Sequence, residues 1–293
     1  MTSSCLERHH EGLSVLLERA SAKKETCRGE VRSSGLPYLC PREIALRKDV
    51  GLVESIESRP EPSLAWIFGI GTAMHTQFQE EWLRSLGPVF QGWWRCKDCN
   101  RLHRGPEVDA PALSHGWIPA PDKCEGCGST AGFRYEELEF HNEEYGLTGH
   151  CDGVLVWGDR TEIFELKTIN GYAFDHREPY SGGPDPKHVI QANAYMWMSG
   201  VPNVRIVYQT KQMDTAFEEA LHEHELSMDN AIVGRIKLML SNAAKAKQGG
   251  GHTFKRHVEC KTARSKKAKK CPVATLCFKT DVPCTTNAST ADS

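Results

Sequence analysis

Gly149-His150-Cys151-Asp152-Gly153-Val154-Leu155-Val156-Trp157 and Thr161-Glu162-Ile163-Phe164-Glu165-Leu166-Lys167-Thr168 are the two runs that decide how this chain folds. Both are strand-like, and the Gly158-Asp159 pair between them is turn chemistry, so together they read as one hairpin. With Gly158 and Asp159 as the two loop residues, Asp152 stands opposite Glu165 and His150 opposite Lys167. Side chains alternate faces along a strand, so His150, Asp152, Val154 and Val156 share a face with Thr161, Ile163, Glu165 and Lys167. A loop that took in Arg160 would shift this register.

Facing carboxylates destabilise a sheet unless something positive lies between them, and a divalent cation is the obvious candidate. Oxygen-rich sites suit Mg²⁺ or Mn²⁺. A lysine on the same face as the second acid can steady charge on a phosphate or help activate a water, which is the chemistry of phosphodiester hydrolysis. Taken alone, a Glu-x-Lys in a strand is more often only a cross-strand ion pair, because such tripeptides are common.

Two helical stretches flank the hairpin. Residues 187–198 follow Pro184 and Pro186, end at Gly200, and place His188, Gln191 and Tyr195 along one face. That stripe can hold a water, a phosphate or a base, or can simply be the solvated side of an amphipathic helix. Residues 66–83 form the second candidate, with His75 in Gly71-Thr72-Ala73-Met74-His75. A lone histidine beside apolar positions ordinarily reads as a packed core residue. A strand over 203–211 and a helix over 227–247 complete a mixed α/β pattern.

The whole chain has 293 residues, 39% of them hydrophobic, with mean hydropathy −0.48, which excludes disorder and fibre. Its 36 Lys+Arg against 38 Asp+Glu leave a net charge of −2, so any nucleic-acid binding must come from local basic segments. The amino-terminal residues do not read as a signal peptide, and no apolar run reaches the ~20 residues of a membrane span. A cytoplasmic location is expected, the host cytoplasm if the chain is phage-encoded. Twelve cysteines in such a compartment point to metal rather than disulfides.

Cys96-Lys-Asp-Cys99 and Cys124-Glu-Gly-Cys127, 24 residues apart, are a zinc-ribbon signal: two tight knuckles supply four thiolates in tetrahedral arrangement. His103 and His115 lie inside the loop and could replace a cysteine. A knuckle this small is held by its metal, and is placed as an insertion over 93–130. The second set, Cys260, Cys271, Cys277 and Cys284 with Cys40 far upstream, fits no zinc-finger template. It can be a cubane iron-sulfur site, a second zinc site or unpaired thiols. Cys5, Cys27 and Cys151 read as singletons.

In order along the chain, Cys40-Pro41-Arg42, His75, Asp152 in Gly-x-x-Asp-Gly, Glu165-Leu166-Lys167, Gln191-x-x-x-Tyr195 and a terminal cysteine group resemble the RecB-like branch of the PD-(D/E)xK nucleases. The likeness is to the iron-sulfur exonucleases typified by the fourth CRISPR-associated family and the AddB nuclease domain. It implies a restriction-endonuclease-like mixed sheet flanked by helices. It also implies that His75, Asp152, Glu165 and the Leu166 carbonyl hold Mg²⁺ or Mn²⁺, with Lys167 catalytic and Gln191 and Tyr195 in support. Cys40, Cys260, Cys271 and Cys277 would then ligate a 4Fe-4S cluster that staples the chain ends, with Cys284 ranked below Cys260. Three features depart from the family: Cys151 stands where the superfamily name has proline, ten residues separate Cys260 from Cys271, and the zinc-ribbon insertion is not general.

The resulting expectation has a helical segment over 1–36, a nuclease domain over 37–284, a cluster segment over 255–284 and a disordered tail over 285–293. The activity is metal-dependent DNA exonuclease action on single strands or duplex ends, in recombination, repair or CRISPR adaptation, with a recombination, helicase or adaptation protein as partner. The alternative is a DNA-binding scaffold subunit without catalysis. Tyr208 and Lys211 are expected to continue the DNA track by stacking and phosphate contact, with ordinary strand packing and solvation an equal alternative. Lys266, Lys267, Lys269 and Lys270 belong to a stretch, 245–270, that holds ten Lys or Arg and one acid and would grip phosphates.

Overall fold

The computed structural model describes residues 31–52, 62–106, 116–171, 174, 183–211 and 220–279. The expectations for Cys5, Cys27, His115, Cys284, the amino-terminal segment up to residue 30 and the carboxy-terminal tail lie outside the described residues. The chain forms two compact units, one drawn from 1–34 and 55–233, the other from 35–54 and 234–293.

In the first unit, strand β1 is Val31–Arg32, and helix α2, Pro62–Gln77, runs into a widened turn at Phe78–Leu83. Strands β2 (Phe90–Cys96), β3 (Leu102–His103), β4 (Ile118–Pro119), β5 (Phe133–Glu136), β6 (Leu138–Asn142), β7 (Leu147–Cys151), β8 (Gly153–Trp157) and β9 (Arg160–Ile169) follow. Helix α3 is Pro186–Ser199, and strands β10 (Asn203–Thr210) and β11 (Leu221–Ser227) come after it. The larger sheet has the order β11-β10-β9-β8-β2-β3, with β4 and β5 also on β2; a smaller sheet has the order β1-β7-β6. The architecture is mixed α/β. Strand β9 is antiparallel to β8 and parallel to β10. A parallel neighbour needs a crossover, and α3 supplies it. Asp185 caps that helix by accepting from the Lys187 backbone N–H at 2.9 Å, and Gly200, at φ 73°, closes it.

The β8–β9 ladder pairs Gly153 with Phe164 and Trp157 with Arg160, the register that a Gly158-Asp159 loop dictates. The strand beyond Asp152 departs from the sequence reading. Residues 147–151 leave the larger sheet and pair with β6, so His150 is opposite Glu139 rather than Lys167 and lies 3.4 Å from its carboxylate. The break falls at Gly153, where an added Cβ would overlap the Phe90 ring. That close approach demands glycine and turns the chain between the two sheets.

Core residues Val154, Ile163, Ala192, Tyr195, Met196, Val204, Ile206 and Tyr208 pack α3 onto one face of the sheet. Phe78, Phe90, Trp94, Leu155, Phe164, Leu166 and Val207 form another cluster. Within the sheet, Glu162 is wholly buried, 2.5 Å from Arg160 Nε and 2.9 Å from Arg205 Nε. Arg205 also reaches Glu223 and Glu225. Glu162→Ala leaves Arg205 its bonds to Glu223 and Glu225 and Arg160 its bond to Glu225, so the loss is that of the buried charged hydrogen bonds, about 2 kcal/mol in urea unfolding at neutral pH. A loss below about 1 kcal/mol would show the network to be ornamental.

The second unit contains helix α1 (Pro41–Asp49) and, after helix α4 (Asn230–Ala246) begins in the first unit, the short helices α5 (Lys266–Lys270) and α6 (Ala274–Lys279). Arg42 is buried, and its guanidinium donates to the carbonyls of Phe254 and Cys277, each at 2.9 Å, and to Cys277 Sγ at 3.2 Å. Asp49 accepts from the Gly250 and Gly251 backbone N–H groups at 2.7 Å. No helix among the described residues is long and apolar enough to cross a membrane.

Candidate metal and phosphodiester site

The site gathers where β7 breaks from β8. Asp152 is buried there, one carboxylate oxygen 3.0 Å from His75 Nδ1 on α2 and the other accepting the Leu166 backbone N–H at 2.8 Å. Gln79 Nε2 donates to the Asp152 carbonyl at 3.0 Å. Glu165 is buried beside it on β9, with Oε1 2.5 Å from Lys167 Nζ. Among the described residues, its buried Oε2 has no hydrogen-bond partner. Lys167 also donates to Gln191 Oε1 at 3.0 Å, and Gln191 Nε2 donates to the Tyr195 hydroxyl at 2.6 Å. Lysine can only donate, so the Gln191 oxygen must face it and the amide NH₂ must face Tyr195. Glycine at 149 makes room for this support, since an added Cβ would stand 2.6 Å from Tyr195 Cε1.

Electrostatics here are those of a site short of positive charge. Burial lifts the Glu165 carboxyl from an ordinary 4.5 to about 7, against the pull of Lys167 and with the push of Asp152. For His75, burial disfavours the charged ring, but the hydrogen bond and charge of Asp152 outweigh it and raise the pKa. Glu137 is a third acid in this field, raised by burial and then by Asp152. Because the folded pKa of Glu165 lies above its unfolded value, its stabilising proton is fully present below about 4.5 and lost as pH rises through about 7. Without added divalent cation, stability should therefore decline between those values, and Glu165→Gln should flatten the decline. An unchanged slope in that variant would contradict the burial of this carboxyl.

The donor set fits a hard divalent cation: two buried carboxylates, one with an orphaned oxygen, and a histidine at their side. His75, Asp152, Glu165, Lys167, Gln191 and Tyr195 are brought together, whereas His150 stands apart with Glu139. The Leu166 N–H is spent on Asp152. Sequence reasoning missed Gln79 and Glu137; the one available signal was that Gln79 follows His75 by four residues, one helical turn.

Of the residues expected along the DNA track, Tyr208 is fully buried, which corrects the idea that it stacks on a base. Lys211 Nζ donates to the Ile67 carbonyl at 3.1 Å. In the second unit, Lys267 donates to the Tyr38 carbonyl at 2.6 Å and lies over its ring, while Lys266, Lys269 and Lys270 are exposed.

Two cysteine groups complete the chemistry. Cys96, Cys99, Cys124 and Cys127 bring their sulfurs within 4.8 Å of one another, a Cys₄ cluster able to hold a metal ion. Cys96 lies 3.8 Å from Cys127, Cys99 3.5 Å from Cys124, and His103 Nε2 3.3 Å from the Cys124 sulfur. Burial pushes the Cys124 thiol up, but backbone N–H groups of Cys127 and Gly126, with His103 and Cys99, bring it down to about 5. In the second unit, Cys40, Cys260, Cys271 and Cys277 line one pocket with Glu43, His257 and Lys267. Burial raises the thiols of Cys40, Cys260 and Cys271, the last to about 11.

No family model matches the chain, and no curated protein does. Among solved structures, it is similar to an alkaline exonuclease, LHK-Exo from Laribacter hongkongensis, at 18% identity and TM-score 0.33, over 38% of this chain and 55% of that one. The chain thus spans about half the length of that relative. LHK-Exo in complex with dAMP is matched at 14% identity and TM-score 0.44, over 75% of this chain and 89% of the other. A phage-related exonuclease from Haemophilus somnus 129PT gives 13% identity and TM-score 0.32, over 79% and 96%. At this depth of similarity, the chain's own residues carry the chemistry.

Proposed function

We propose that this chain is a Mg²⁺- or Mn²⁺-dependent deoxyribonuclease of the RecB-like PD-(D/E)xK type, an exonuclease acting on single-stranded DNA or duplex ends. The observation that carries the reading is the buried, unpartnered Glu165 Oε2 beside Asp152, adjacent to a lysine that Gln191 and Tyr195 hold in place. A scaffold has no use for such a costly arrangement. His75, Asp152, Glu165 and the Leu166 carbonyl would hold the cation. Such a cation, when bound, supplies Lewis acidity and a more acidic water.

The chain's own residues do the rest. Lys167 keeps its ammonium between Glu165 and Gln191 and presents its remaining N–H to a phosphate oxygen, offsetting charge that develops during attack. Gln191 and Tyr195 fix the direction of that ammonium, and Asp152 is held by His75 and the Leu166 N–H. The Cys₄ cluster is assigned to Zn²⁺, and Cys40, Cys260, Cys271 and Cys277 to a structural 4Fe-4S cluster; what supports the latter is that four sulfurs from both ends of the chain line one pocket. The setting is cytoplasmic DNA recombination, repair or CRISPR adaptation.

The test is cleavage of end-labelled single-stranded and duplex DNA by the wild-type protein with Mg²⁺, with Mn²⁺ and with chelator. Shortening from an end only with the cation is the expected result. DNA binding without cleavage under every condition would turn the account to a scaffold.

A further inference from the structure

His188 stands on the first turn of α3, one turn before Gln191, and is half-buried. Its Nδ1 lies 2.8 Å from the Tyr208 hydroxyl. Tyr208 is the neighbour of Lys167 across the β9–β10 ladder, so it stands one strand over from the lysine that Gln191 holds. The same hydroxyl accepts the Asp185 backbone N–H at 3.1 Å. We propose that Tyr208 gives its proton to Nδ1 and so fixes His188 as an Nε2–H hydrogen-bond donor to a phosphate of the bound DNA strand, next to the phosphate at Lys167. This rests on the nuclease reading of the site and names how its substrate backbone is held.

The direction follows from acid and base strength. A phenol O–H is a stronger donor than a neutral imidazole N–H, and an imidazole nitrogen is a stronger acceptor than a phenol oxygen, so the favoured arrangement has the Tyr208 proton on the line to Nδ1. An imidazole that accepts at Nδ1 carries its hydrogen at Nε2. Burial first, and then the charge of Lys167, outweigh Asp185 and bring the ring down to about 4, so it is neutral in ordinary buffer. A neutral ring with Nε2 protonated has no lone pair to act as a base there; it can only donate. Nε2 has no partner among the described residues. A half-buried donor beside an ammonium fits a group that only accepts, and a phosphate oxygen is that group. Tyr208 is thereby a positioning residue, which gives its buried hydroxyl a task that base stacking does not.

Two measurements test this. In ¹⁵N-labelled protein at pH 7, two-bond nitrogen–proton correlations should show His188, identified by its loss in His188→Gln, as the Nε2–H tautomer. Tyr208→Phe should release it to a mixture. Fluorescence anisotropy with a 5′-phosphorylated single-stranded oligonucleotide in Ca²⁺ should show about tenfold weaker binding for His188→Ala, with most of it regained in His188→Gln, which keeps a donor. An Nδ1–H tautomer, or wild-type affinity in His188→Ala, would overturn the proposal. Neither readout needs turnover. A protein that never cleaves yet needs His188 for binding would sink the nuclease reading alone, and one that cleaves but ignores His188 would sink this inference alone.

Discussion

Glu165→Gln should lower metal-dependent DNA cleavage about 10³-fold, the equivalent of roughly 4 kcal/mol of barrier, while the protein still folds. The substitution keeps the volume but removes both the orphaned anionic oxygen and the charge that Lys167 faces at 2.5 Å. A cation loses an anionic ligand, and Lys167 keeps an acceptor at this position but loses the charge of its ion pair. The fall should appear in kcat, because the lost interactions act on the reacting phosphate rather than on the length of the strand. Circular dichroism and urea unfolding would confirm that the sheet persists, since glutamine keeps the shape of the side chain and is neutral, as burial favours at this position. Activity within about threefold of wild type would mean that the cation sits elsewhere.

The second large effect is expected in the second unit. Cys271→Ser should abolish broad visible absorbance and drop iron from about four per chain to below one. Loss of cooperative unfolding in this unit should accompany it. One apolar cluster there joins Leu46, Val273 and Cys277, with Cys271, Leu276 and Phe278 packed against it. A cluster held by the four cysteines of that pocket would cross-link the segments that carry them. The buried Arg42 guanidinium, 3.2 Å from the Cys277 sulfur, is placed to steady an anionic ligand. Zinc in place of iron in anaerobically purified protein would make both cysteine groups zinc sites.

Much of the site was legible because it is local. The Gly158-Asp159 turn sets the β8–β9 register by itself, and Glu165 and Lys167 follow two residues apart on one face. Helix α3 was equally readable, with Pro186 at its start and Gly200 at its end. The departure at Asp152 was not legible, because the reason is distant: Phe90 packs against Gly153 and leaves no room for a side chain, so residues 147–151 turn away to β6. His150 went with them. Strands β5 and β6 are short runs of mixed polarity beside the cysteine knuckles, and β11, Leu-His-Glu-His-Glu-Leu-Ser, carries too many charges to read as sheet. Its acids are paired to Arg160 and Arg205, neighbours that only the fold supplies. For Tyr208 the sequence leaves stacking on the DNA track and ordinary strand packing equally open, and the side chain is packed with the residues of α3.

The central claim is that Asp152, Glu165 and Lys167 cut DNA with a divalent cation. The measurement that tests it most directly is a time course on end-labelled single- and double-stranded DNA with Mg²⁺ or Mn²⁺, comparing anaerobically purified wild type with Lys167→Ala. The account predicts shortening from one end by the wild type and a rate lower by about 10²- to 10⁴-fold in the variant. Equal inactivity of the two proteins with their metals intact, or equal activity, would contradict it.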